Sequence, residues 1–248
     1  MRYRSVIDMH VVNRMQAFGW RPIMGAISLL LVLAIGAIIG DQGPEIRAGM
    51  YEGMTWNGAI FALLGPMIGY GFTSMGQYFP LALGLGLTRR EFATGVSLVF
   101  LANAVVYSVV ITIGKIIEVA TGGFGLQIRF FDVFYTGTGP AWQTLIQTFL
   151  LILGVLFLGA AITAAYLRFG QPFLWITGAV LAVLAVAALA GIILLDGFGG
   201  GLLEVLTMGW GPWMAVIAVI GAASAGVWRC WCAAPRRAER AGRGSAGR

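Results

Sequence analysis

The stretch "FLWITGAVLAVLAVAALAGIILL", residues 173–195, carries no charged residue. It limits the possible folds more than any other feature of the chain. A helix crossing about 30 Å of hydrocarbon needs ~20 mostly apolar residues. Inside lipid every backbone N–H and C=O must be bonded within the element, so the choice is a helix or a closed barrel. The run shows no strand-like alternation, which selects the helix. Five more runs of this kind lie at about 22–40, 58–78, 92–117, 142–167 and 210–228. The chain therefore reads as an all-α integral membrane protein with six spans. The third and fourth runs are long enough to tilt or to project beyond the bilayer. Composition agrees: 59% of residues are hydrophobic and 10% charged, against roughly 45–50% and about 25% in a soluble domain.

Basic residues beside the spans set the orientation, because Lys and Arg collect on the cytoplasmic side. With the N-terminus inside, Arg2, Arg4, Arg14, Arg21, Arg89, Arg90, Arg168, Arg229, Arg236, Arg237, Arg240, Arg243 and Arg248 all fall inside. Only Arg47, Lys115 and Arg129 fall outside, together with most of the acids. Both termini are thus expected in the cytoplasm, with the chain in the cytoplasmic membrane. The first apolar run is too long for a signal peptide, and no small-x-small cleavage site follows it, so it reads as retained.

Three domains follow. Residues 1–19 include "RSVIDMHVVNRMQAF", in which Ile7, Val11, Met15 and Phe18 recur at helical spacing. This is the pattern of an amphipathic helix lying on the inner leaflet. Residues 20–229 hold the spans. Residues 230–248 form a basic tail of small residues that packs no core and is drawn to anionic lipid. The overall charge of +6 reflects the inside bias, so nucleic acid is not expected as a partner. Cys230 and Cys232 read as free thiols in a reducing compartment rather than as a metal site. The apolar outer loops 118–140 and 196–213 fit an aromatic belt or an outer gate equally.

No catalytic set is present, and no phosphate-binding loop: Lys115 follows Gly114 but is followed by Ile116. The chain is not expected to be an enzyme. No ionisable residue lies near the centre of a predicted span, which counts against a proton relay. Lys115 and Glu118 stand three apart on one helix and read as a local ion pair. Tyr70, Thr73, Ser74, Gln77 and Asn103 are candidate pathway residues; Thr112, Gln143 and Gln147 are further polar positions within spans. Each can also serve only to bond a neighbouring helix. The pairs Gly36/Gly40, Gly65/Gly69 and Ala222/Gly226 allow close helix contact.

Between the second and third spans lies "SMGQYFPLALGLGLTRREFATG". Thr88 and Glu91 have capping-box spacing, so Thr88 is expected to start the third helix. Arg89 and Arg90 then fall in its first turn, which the helix dipole disfavours. Lipid phosphate or a protein partner would favour them there. The preceding segment is broken by Pro80, Gly84 and Gly86, and reads as a short separate element at the cytoplasmic surface. Physics alone leaves it as either a partner surface or a plain loop.

The stretch "QYFPLALGLGLTRREFATG" resembles the cytoplasmic segment of bacterial ATP-binding-cassette type 2 exporter permeases. The later "TGGFGLQIRFF" and the "AAYLRFG" that ends the fourth span are similar to small six-span permeases of this group. The resemblance implies that segment 77–90 couples to a cytoplasmic ATPase. The contact residues would be Gln77, Tyr78, Phe79, Pro80, Leu81, Leu83, Leu85, Thr88, Arg89 and Arg90, with Glu91 in the cap. It further implies ATP and Mg on that separate ATPase chain, and a dimer of permeases carrying two ATPases. Substrates of the family include drugs, peptides, lipids and polysaccharides, and nothing in the chain selects among them. The alternatives are a membrane scaffold or accessory subunit that moves nothing and, disfavoured by the missing intramembrane charge, a secondary transporter.

Overall fold

The structure, a computed structural model, describes residues 19–40 and 43–173, with isolated helical positions between 175 and 226. Among the described residues all regular structure is helical. Helix α1 is Trp20–Gly40 and α2 is Pro44–Gly53. Helix α3 runs Gly58–Gly84, α4 Arg89–Ala120 and α5 Ala141–Phe169. All of these except α2 are long and apolar enough to cross a membrane. They match the first four predicted spans. The predicted spans 173–195 and 210–228 are described only in part. There, Gly221 faces α5 closely, since a Cβ on it would lie 3.4 Å from the Gly154 Cα. The expected amphipathic segment 4–18, the loop 196–213 and the tail 230–248 lie outside the described residues.

One boundary differs from the sequence reading. The second span does not stop at Tyr78 but continues to Gly84, so 77–90 is not a separate element. Pro80 lacks an N–H, and its ring would strike the carbonyl one turn back in a regular α-helix. The chain widens into a π turn at Ser74–Tyr78, where the Phe79 N–H donates to the Ser74 carbonyl five residues back. Pro80 then stands in the first turn of the segment Phe79–Gly84, where no N–H is required.

The helix ends in a Schellman turn. Gly86 takes the left-handed conformation, φ 79°. Its N–H donates to Leu83 O and that of Leu87 to Ala82 O, both at 3.0 Å. Thr88 follows at once as the cap of α4. Its hydroxyl accepts from the Glu91 N–H at 3.2 Å, and the Glu91 carboxylate accepts from the Thr88 N–H at 2.8 Å. The expected capping box is present.

Met67 and Met75 of α3, Phe92, Phe100 and Ile111 of α4, and Ile152 and Leu156 of α5 form one buried cluster. Helices α3 and α5 touch backbone to backbone. A Cβ on Gly71 would lie 2.6 Å from Leu156 O, and one on Gly159 2.6 Å from Ile68 O. Spacing by four predicts close contact at Gly65/Gly69, but nothing among the described residues lies within 4 Å of a Cβ at either position. Gly36 does make a close contact, with Ile128 of the loop before α5 rather than with a helix. The outward faces of α1 and α4 remain apolar, with Leu30, Ile38, Val110 and Ile113 exposed, as lipid-facing surfaces are.

Candidate functional site

Three arrangements of polar and exposed apolar groups divide the bundle along its axis. At the Arg89 end, the Schellman turn and the capping box hold residues 82–91 in one geometry. Leu81 and Leu85 are 50% and 67% exposed on this turn. Gln77, Pro80, Thr88 and Arg90 are exposed as well, while Tyr78, Leu83, Arg89 and Glu91 are half-buried. Phe79 is buried, with its ring 5.2 Å from that of Phe92, edge to face. Leu83 packs against the core cluster. The predicted coupling residues therefore divide into an inward set that fixes the turn and an outward pair of leucines beside Arg90.

The middle of the bundle holds a buried cation. Arg21 is 1% exposed. It donates through Nη1 to Asn103 Oδ1. Its Cζ lies 4.3 Å from the centroid of the Tyr70 ring and 5.5 Å from that of Tyr107. At 1.5 Å of rise per residue, Asn103 stands ~21 Å along α4 from Arg89 and ~18 Å from Lys115. Its place in the sequence puts Arg21 among the basic residues flanking the first span; it sits instead level with the centre of α4. The cause is the axial placement of α1. Ser28 donates to Ala59 O at 3.0 Å, and Gly36 rests on Ile128. Helix α1 is thereby shifted toward the Lys115 end, which draws its first turn into the bundle. The two π faces and the Asn103 amide partly replace the water the cation has lost.

Of the five candidate pathway residues, only Tyr70 and Asn103 meet, through Arg21. Thr73 and Ser74 turn back on their own helix and donate to Gly69 O and Tyr70 O at 2.9 and 2.8 Å. Gln77 is exposed. Thr112 likewise donates to Ser108 O at 2.7 Å.

At the opposite end, α4 clasps the loop that leads into α5. Lys115 Nζ donates to Gly137 O at 2.5 Å, Gly139 O at 2.7 Å and Thr144 Oγ1 at 3.0 Å, and lies 2.9 Å from Asp132. The Glu118 carboxylate accepts from the N–H groups of Phe130, Phe131 and Asp132 at 2.8–3.1 Å. The expected Lys115–Glu118 pair does not form. Had the two paired, those loop N–H and C=O groups would be buried without partners, which costs more than one local ion pair returns. Gln147 Nε2 donates to Phe134 O and Tyr135 O. The Arg129 guanidinium stacks 4.2 Å over Tyr51. The loop is thus fastened to α2, α4 and α5, and it caps this end of the bundle as a fixed structure.

This fastening is directly testable. Hydrogen bonds to a charged group contribute about 1.5–3 kcal/mol each. Glu118→Ala removes one acceptor carboxylate serving three donors, and should lower stability by ~3–5 kcal/mol. Glu118→Gln keeps an acceptor oxygen and should cost less than half as much. Thermal unfolding in detergent micelles, with limited proteolysis within 121–140, would show both. A wild-type melting temperature and an uncut loop in Glu118→Ala would contradict the assignment.

Sequence reasoning missed Arg21 because the apolar run begins only at Pro22. The signal was indirect: Tyr70, Asn103 and Tyr107 lie in otherwise apolar helices, and each wants a polar or cationic neighbour. No protein-family model, curated protein or solved structure matches the chain.

Proposed function

We propose that the chain is the transmembrane permease subunit of an ATP-binding-cassette exporter of the cytoplasmic membrane. It would have six spans and both termini inside, and would be driven by a separate cytoplasmic ATPase that holds ATP and Mg. It would act as a dimer of permeases. The observation that carries this reading is the rigid turn at the end of α3, which exposes Leu81 and Leu85 beside Arg90. Arg89 and Arg90, at the start of α4, would mark the aqueous boundary of these spans. Leucines held outward there by a Schellman turn and a capping box gain nothing from water and fit an apolar groove on a protein. ATP-driven closure of two ATPases would push on these turns. Because each turn continues α3 through the π turn, the push would pass along α3 to its crossing with α5 at Gly71 and Gly159.

A second reading, a secondary transporter, gains from Arg21, which supplies the intramembrane charge that the sequence reading did not find. Among the described residues it lacks a carboxylate near that charge to carry protons or cations.

Affinity purification of the chain from its native membrane tests the proposal. The expected result is an ATPase subunit with a phosphate-binding loop in stoichiometric amount, and ATP hydrolysis by the pair but not by the chain alone. Purification without any ATPase, at full recovery of the chain, would favour a scaffold or a secondary transporter.

A further inference from the structure

A guanidinium at mid-bundle without a counter-ion is expensive. The desolvation cost of such a cation in a spanning helix is several kcal/mol, and such residues mark functional positions by default. Arg21 is 1% exposed, and among the described residues no carboxylate lies within 4 Å of it. Its groups are divided in a specific way. Tyr70 covers the cation face at 4.3 Å, and Asn103 accepts from Nη1. Nη2 is buried and, among the described residues, has no hydrogen-bond partner. The Tyr70 ring therefore occupies the face of the guanidinium, Asn103 accepts from Nη1 and the Tyr107 side chain hydrogen-bonds the group as well, which leaves Nη2 for a further acceptor. A charged Nη2 donor of this kind binds carboxylate or phosphate oxygens strongly.

Asn103 is held for this role by its own helix. Its Nδ2 donates to Val99 O at 2.8 Å, which turns Oδ1 toward Arg21. A neutral amide at this position orients the cation without neutralising it. An aspartate in the same place would have satisfied Arg21 outright.

We propose that Arg21, oriented by Asn103 and Tyr70, is a binding site for a single oxyanion carried on an apolar body. The depth of the site requires the apolar body, because a small hydrated anion would lose its water in crossing ~18–21 Å of apolar bundle. Two sources share this chemistry, an amphiphile with one acid group and an anionic membrane phospholipid. Binding itself does not depend on the ATPase; that the bound anion is cargo rests on the exporter reading.

The test uses the full chain in phosphatidylcholine nanodiscs, without ATPase, so its outcome is separate from that of the co-purification above. The probes are oleate, its neutral counterpart oleyl alcohol, and phosphatidylglycerol, with bound amounts read by native mass spectrometry. Wild-type chain should prefer an anion over oleyl alcohol by at least about tenfold, the effect of one charge-assisted contact. Arg21→Gln should abolish that preference. Asn103→Asp should abolish it as well while keeping the arginine, because the new carboxylate takes the anion's place. The Asn103→Asp chain should also melt no lower than wild type, so that its loss of anion preference is not a loss of fold. Preference for oleate identifies a free amphiphile, and preference for phosphatidylglycerol alone identifies membrane lipid; either supports the site. If wild type shows no preference for either anion, or both variants retain it, the guanidinium is only a structural group and the proposal fails.

Discussion

Gly159→Leu should abolish the native bundle. Helices α3 and α5 meet here backbone to backbone, with the Gly159 Cβ position 2.6 Å from Ile68 O and the Gly71 Cβ position 2.6 Å from Leu156 O. These neighbours are main chain, so no side chain can rotate away. Ordinary helix pairs stand ~8–10 Å apart, and a leucine would force this pair back to such spacing. That separation would open the buried cluster of Met67, Met75, Phe100, Ile152 and Leu156. Overpacking against side chains costs about 1–3 kcal/mol; against two backbones it should exceed ~4 kcal/mol. The chain should elute as aggregate in mild detergent and lose its cooperative melt. Gly69→Ala is the control. Nothing among the described residues lies within 4 Å of that position, and alanine is the better helix former by ~1 kcal/mol. It should melt at or above wild type. An intact Gly159→Leu bundle would show that α3 and α5 do not cross here.

The second large effect concerns coupling. A fully buried leucine contributes ~1.5–3 kcal/mol. If Leu81 and Leu85 both seat in the ATPase, the double variant Leu81→Asp/Leu85→Asp should weaken that complex by on the order of 10²- to 10⁴-fold. Membrane insertion and thermal stability should not change, since both side chains already face outward. Leu83→Asp is a poorer probe, because Leu83 packs on the core and its loss would disturb the fold as well. Arg90→Ala removes an exposed charge whose pairing is worth about 0–1 kcal/mol, less than about fivefold in affinity. A strong Arg90→Ala effect with a silent leucine pair would make the contact electrostatic and not apolar.

The helices of this bundle were legible in the sequence because lipid imposes a length rule that local sequence states openly. The capping box was legible too, since Thr88 and Glu91 are three residues apart and need no other partner. What could not be read were outcomes decided by residues distant in the chain. Pro80 looked like a break, and became one turn of a continuous helix once a π turn made room for its ring. Lys115 and Glu118 looked like partners because helical spacing brings them together. The decisive competitors, the backbone groups of residues 130–139, lie beyond the helix. Arg21 looked like a boundary residue because the axial offset of α1 is set by Ala59 and Ile128. The same holds for glycines: spacing by four marked Gly65 and Gly69, whereas the contact used Gly71 and Gly159, one from each helix.

In the proposed exporter, the end of α3 is where the ATPase would push on this chain. Crosslinking tests it most directly. Cysteine would be placed at position 85, or at position 110 on the exposed face of α4, after Cys230 and Cys232 are replaced by serine. A bifunctional thiol reagent would then be applied to inside-out vesicles containing the ATPase. The expected result is an ATPase adduct from Leu85→Cys, with a yield that changes on adding ATP, and none from Val110→Cys. No adduct at position 85 under either condition, from a chain that still transports, would contradict the claim.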